Sequence, residues 1–132
     1  MHRPILLLVA LLLAGCVPGA TPRPGGADGT LEVTVTASPV CPVEQDPPDP
    51  GCAPRPVEGA PIFVQPADGR DIMIAQGTTD ADGVVVLRVP PGDYVVSGGE
   101  VSGLMGLPEP TAVSVDAGAT STLDLGYDTG IR

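Results

Sequence analysis

The chain has 132 residues, 42% of them hydrophobic but only 2% aromatic, with 18 Gly, 17 Pro, three Cys and a formal net charge of -10. Sixteen acidic residues stand against six arginines and no lysine, a balance that repels nucleic acid and anionic lipid head groups. The only histidine is His2, so histidine bases, His-paired nucleophiles and His metal ligands are excluded from everything beyond the extreme N-terminus.

The chain opens with a short cationic stretch, Met1-His2-Arg3, followed by an apolar run from Ile5 to Leu13. That run is too short for a bilayer core, which needs roughly 20 apolar residues, and it has the layout of an export signal. It closes on Leu13-Ala14-Gly15-Cys16. This box resembles the bacterial lipoprotein signal. The resemblance implies cleavage before Cys16, a diacylglycerol on its thiol and a location on the outer face of a bacterial cell membrane, periplasmic or outer-membrane-associated in a diderm source. The alternative is an ordinary cleaved signal with an incidental cysteine. On the lipoprotein reading, 1–15 is the signal peptide and 16–29 holds the lipidated Cys16 and a tether. The tether, VPGATPRPGGADG, is Pro/Gly-rich and aperiodic and reaches about 40 Å when extended. Removing 15 of 132 residues leaves 117, enough for one domain over 30–132, with five arginines against sixteen acids and so a net charge of -11.

Three cysteines in an exported chain leave one unpaired unless a thiol is used otherwise. With Cys16 acylated, Cys41 and Cys52 remain as a pair. An oxidising compartment favours their bond, and closing a loop of this size stabilises by about 3 kcal/mol on the chain-entropy model. No CxxC motif is present and no exported histidine could complete a zinc site. The pair therefore reads as a staple across an insertion at 41–52.

From Leu31 the pattern changes to period two, with Leu31, Val33 and Val35 alternating with Glu32, Thr34 and Thr36. Further strands are expected near 61–65, 71–78, 84–89, 93–97, 111–115 and 121–127, each bounded by Gly, Pro or Asp turn signals. No window beyond the signal carries a helical stripe. Seven short strands with frequent turns predict an all-β, seven-stranded Greek-key β-sandwich. Its inward set is expected to run from Leu31, Val33 and Val35 through Ile62, Val64, Ile72, Ile74, Val85, Leu87 and Val89 to Tyr94, Val96, Val113, Val115, Leu123, Leu125 and Tyr127.

Glu58-Gly59-Ala60-Pro61-Ile62 opens one strand, and Thr78-Thr79-Asp80-Ala81-Asp82-Gly83 and Val89-Pro90-Pro91-Gly92-Asp93-Tyr94 follow. In these blocks the chain resembles the carboxypeptidase regulatory-like domains, prealbumin-like sandwiches related to the repeats of surface proteins. The resemblance implies a T-D-x-D-G turn, a P-P-G turn and a tyrosine that plugs the core. It also implies no catalytic function, because the carboxypeptidases keep their zinc in a separate domain and the hydrolases of this fold depend on histidines. Surface-adhesin relatives cross-link lysine to Asn or Asp, a bond that a chain without lysine cannot form.

Carboxylates are the remaining route to catalysis, and Asp80 with Asp82 is the pair that invites a small hydrolase or a calcium site. The third acid and the distal Glu of a calcium loop are missing, which leaves turn formation as the competing role. Two loops are candidate contact surfaces: the apolar Leu104, Met105 and Leu107, and the stapled 41–52 segment. The expected protein is thus a non-catalytic, lipid-anchored, monomeric binding or accessory module. Its partner is an envelope protein or a glycan, a carbohydrate-binding module being the alternative. Without Trp, sugar stacking would fall to tyrosine or to backbone groups.

Overall fold

The computed structural model describes residues 26–132. The signal expected at 1–15, the lipidated Cys16 and the tether as far as residue 25 lie outside them. Period-two alternation produces the longest strand, β1 (Gly29–Ser38), with Leu31, Val33, Val35 and Ala37 buried and Glu32, Thr34 and Thr36 on the opposite face. The other strands are β2 (Arg55–Pro56), β3 (Pro61–Pro66), β4 (Ala75–Thr78), β5 (Val84–Val89), β6 (Gly92–Gly98), β7 (Thr111–Val115) and β8 (Thr120–Asp128). A single 3-10 turn, Pro50–Cys52, sits in the insertion, with Asp49 accepting from the Gly51 N–H at 2.8 Å.

One sheet is built around β1. Along one edge β1 pairs in parallel with β8, in nine register pairs from Thr30↔Thr120 to Ser38↔Asp128. A strand has only two edges, so the antiparallel partners β5 (against Gly29 to Thr34) and β2 (against Thr36 and Ala37) share the other. The second sheet has the order β4-β3-β6-β7, antiparallel throughout. The two sheets face each other over an aliphatic core of Leu31, Val33, Val35, Ile62, Val64, Val89 and Val96, closed by Tyr94 and Tyr127. This is the expected sandwich, with the two-residue β2 added to its seven main strands.

The registers define two poles. Gly29, Val89, Gly92, Val115 and Thr120 meet at the N-terminal pole, where the described chain begins. Ser38, Arg55 and Asp128 of one sheet and Pro61, Thr78 and Gly98 of the other meet at the opposite, C-terminal pole. The ten residues of β1 separate the poles by about 33 Å at the usual strand rise.

The structure departs from the sequence expectation in the 71–78 strand. Only Ala75–Thr78 pairs with β3, and Ile72 is 44% exposed instead of buried. Carried on from Val64↔Ala75, the register would set Pro66 opposite Met73, and proline has no N–H for the ladder. The chain therefore leaves the sheet, and only the Ile74 N–H still reaches Val64 O, at 2.9 Å. Ile74, Leu87, Val113 and Leu123 are partly buried against the core. Ala37, Val57 and Ala60 join it without having been part of any expected alternation.

Cys41 and Cys52 are disulfide-bonded, with their Cα atoms 5.3 Å apart. The loop they close is almost wholly exposed and adds little to the core. Its closure acts chiefly on the unfolded chain, so Cys41→Ser with Cys52→Ser should lower the unfolding free energy by up to about 3 kcal/mol. Urea titrations of both proteins without reductant measure the difference.

Candidate functional site

The connection from β4 to β5 holds the carboxylate pair singled out above. Asp80 is fixed by its backbone and by its side chain together. Its N–H donates to Val84 O at 2.9 Å, and its Oδ1 accepts from the N–H groups of Asp82 at 2.9 Å and Val84 at 3.0 Å. Gly83 then turns with φ of 74°, and any Cβ there would strike Val35 O, Pro56 and the Val57 amide. Thr79 lies just before this turn, and its role was missed by the sequence reading. It is the one buried polar residue of the described chain, 4% exposed; its Oγ1 donates to Val57 O at 2.5 Å and accepts from the Ala60 N–H at 2.9 Å. Thr79 therefore stitches the approach to β3 onto the end of β4. The Thr78-Thr79 doublet before an Asp turn was the only available signal, and period two alone would not have placed a polar side chain inward.

Asp82 is exposed and forms no side-chain hydrogen bond among the described residues. The pair is thus one carboxylate locked into a turn and one in solvent, without the enclosing cleft that holds a sugar between two acids. Nor do the described residues contain any cluster of three or more His, Cys, Asp or Glu side chains able to hold a metal. The melting temperature should be the same in millimolar calcium as in chelator, since a ligand present well above its dissociation constant must raise it.

Other acids are engaged at the surface. Asp68 lies 2.6 Å from Arg70 and Asp128 lies 3.0 Å from Arg132. Asp68 is held below the usual carboxylate range by the Arg70 N–H and guanidinium, and Asp128 by the Arg132 guanidinium and then the Gly130 N–H. Both tyrosine hydroxyls turn inward. Tyr94 donates to Pro90 O, and Tyr127 donates to Gly99 O at 2.6 Å. Burial pushes both phenols above their ordinary value of 10, the Asp28 charge adding to the effect on Tyr94. A raised folded pKa favours the neutral phenol, so this contribution is complete below about pH 10 and is lost as pH climbs through the folded values. The contributions of Asp68 and Asp128 have the opposite sense. They are present above about pH 4 and are lost as pH falls, and they are small because both pairs are solvated. The described residues contain no histidine and no free thiol. Thermal melts should accordingly give a level midpoint from pH 6 to 9 and a falling one above about pH 10.

With Tyr94 and Tyr127 only 5% and 2% exposed, neither offers a face on which a sugar could stack. The expected contact loop is divided in the structure. Leu104 packs against the core, while Met105 and Leu107 remain about 60% exposed. The Met105 N–H donates to Asp128 O at 2.8 Å, laying this loop on the end of β8. Thr129 Oγ1 donates to Pro39 O at 2.6 Å, so the same C-terminal pole also carries the stapled segment. A different group occupies the N-terminal pole. There an open groove of about 620 Å³ is lined by Arg70, Ile74, Pro90, Pro91, Asp93 and Tyr94. Beside it stand the exposed Ile72 and Met73, which sequence periodicity had assigned to a strand.

No protein-family model matches the sequence, and no curated protein matches it either. Solved structures do match in fold. The TIE protein of Bacillus anthracis superposes with a TM-score of 0.58 at 18% identity, covering 78% of this chain and 17% of that one. The minor pilin of Streptococcus agalactiae gives 0.58 at 20% identity over 77% of this chain and 44% of the pilin. The shaft pilin SpaA of Lactobacillus rhamnosus GG gives 0.56 at 12% identity over 76% and 49%. The chain thus spans about half or less of the structures it resembles, and at these identities the likeness establishes a β-sandwich fold and no more.

Proposed function

We propose that this chain is an exported, non-catalytic β-sandwich, held at a bacterial envelope by a lipid on Cys16 and serving there as a structural or accessory module. One observation carries this reading. Among the described residues every buried side-chain polar atom has a hydrogen-bond partner, so none is left aimed at a substrate. Of the groups that could do chemistry, Asp80, Tyr94 and Tyr127 hold turns and strand ends, and Asp82 stands in solvent with no partner group beside it among the described residues. The pilins among the structures of like fold support a role in association with other envelope proteins. The carboxypeptidase regulatory-like assignment belongs to the same proposal, resting on the turn blocks at 78–83 and 89–94.

The decisive experiment is mass analysis of the N-terminal peptide of protein taken from the membrane fraction, with detergent-phase partitioning of the native chain and of Cys16→Ser. Diacylglyceryl-Cys16 at the N-terminus, with Cys16→Ser released to the aqueous phase or left uncleaved, supports the reading. An unmodified Cys16, or a correctly anchored Cys16→Ser, overturns it.

A further inference from the structure

We propose that the 70–74 loop is a second point of membrane contact, with Ile72 and Met73 entering the headgroup region of the same bilayer and so orienting the sandwich. The proposal deepens the anchored reading above and rests on it. Ile72 and Met73 are neighbours in the chain, 44% and 49% exposed, and the fold gives them no packing partner in its core. The Pro66 interruption that ends the β3–β4 ladder turns them outward and leaves Ile74 alone against the core.

Their position is what selects the bilayer. The described chain begins at the pole that carries them. The Gly118 N–H donates to Asp28 O at 3.2 Å, and Asp28 lies close enough to Tyr94, a wall of the groove beside the loop, to act on its phenol. Nine residues, 17–25, separate the start of the described chain at this pole from the acylated Cys16. Fully extended they reach about 35 Å, nearly all of which would be used up in bringing the C-terminal pole, about 33 Å further along β1, to the bilayer, whereas the N-terminal pole meets it with little extension. An apolar pair of this size binds a bilayer weakly by itself, and tethering converts that weak binding into an intramolecular contact. The chemistry suits uncharged head groups. Asp68 is paired with Arg70, but Asp71, whose bond from the neutral Gln65 Nε2 at 3.2 Å offsets no charge, stands with Asp28, Asp93 and Asp116 at this pole, and together they oppose an anionic surface.

The absence of tryptophan makes the test clean, because Met73→Trp becomes the single indole of the chain. Val43→Trp, at a 68% exposed position in the stapled segment of the opposite pole, is its control. Each protein, from Cys16 onward, is coupled through the Cys16 thiol to a maleimide lipid in phosphatidylcholine vesicles with brominated acyl chains. This attachment does not depend on acylation in the cell. A failed lipid anchor therefore shows in the mass analysis, and a failed contact shows here. The expected result is a blue-shifted Met73→Trp emission, quenched several-fold more than that of Val43→Trp, with the quenching abolished by adding Ile72→Asp. Equal quenching at the two poles, no quenching at either, or quenching that appears only with anionic lipid overturns the proposal.

Discussion

Replacing Tyr127 with alanine should lower the unfolding free energy by about 4 kcal/mol, the range found when a large buried aromatic is truncated. Tyr127 is 2% exposed and is the largest fully buried side chain of the described residues, at the end of β8. Its ring fills the C-terminal end of the sandwich, and its hydroxyl reaches Gly99 O at 2.6 Å. Gly98 beside it has no room for a Cβ between the Tyr127 hydroxyl and Pro108, so the surroundings are built to the shape of this ring and cannot collapse into the space it leaves. Tyr127→Phe keeps the ring and removes one hydrogen bond to a carbonyl, and should cost about 1 kcal/mol. Urea titrations of the three proteins measure both steps. Equal losses for Ala and Phe would show that the hydroxyl, and not the ring, carries the effect.

Thr79→Val should cost about 3 kcal/mol although it changes the side-chain volume very little. The substitution leaves the Val57 carbonyl without its donor and the Ala60 N–H without its acceptor, in a region where Val57 is 7% and Ala60 0% exposed. Each buried orphan costs about 1 to 3 kcal/mol. Thr79→Ser keeps both hydrogen bonds and loses one methyl, so it should fall within about 1 kcal/mol of the native chain. The same titration, with hydrogen exchange of the Ala60 amide as a local readout, separates the two variants. A silent Thr79→Val would mean that water enters the turn and satisfies both groups.

The fold was legible wherever local chemistry and global packing agree. β1 follows its alternation residue by residue, and the Asp80–Gly83 turn and the inward Tyr94 appear where the motifs put them. The 71–74 stretch was misread because Ile-Met-Ile has the composition of a strand, while the obstacle is Pro66 on the neighbouring strand, a non-local fact. Thr79, Val57 and Ala60 form a cluster without period, so no alternation could reveal it. The same limit applies to the candidate surfaces. Sequence gave Leu104, Met105 and Leu107 equal standing, and only packing divides Leu104 from the other two. Ile72 was invisible as a surface because it had been counted as core, and Met73 because it lay within the same expected strand.

The parallel pairing of β1 with β8 has a mechanical consequence. The two ends of the described chain leave the sandwich from opposite poles, Gly26 at one and Arg132 at the other, along strands that lie side by side over nine register pairs. A pull between those ends drags the two strands past each other along their length, so the evenly spaced hydrogen bonds of the parallel ladder share the load and must give way together. A hairpin drawn apart from its open end peels one bond at a time. This arrangement resists stretching along its long axis.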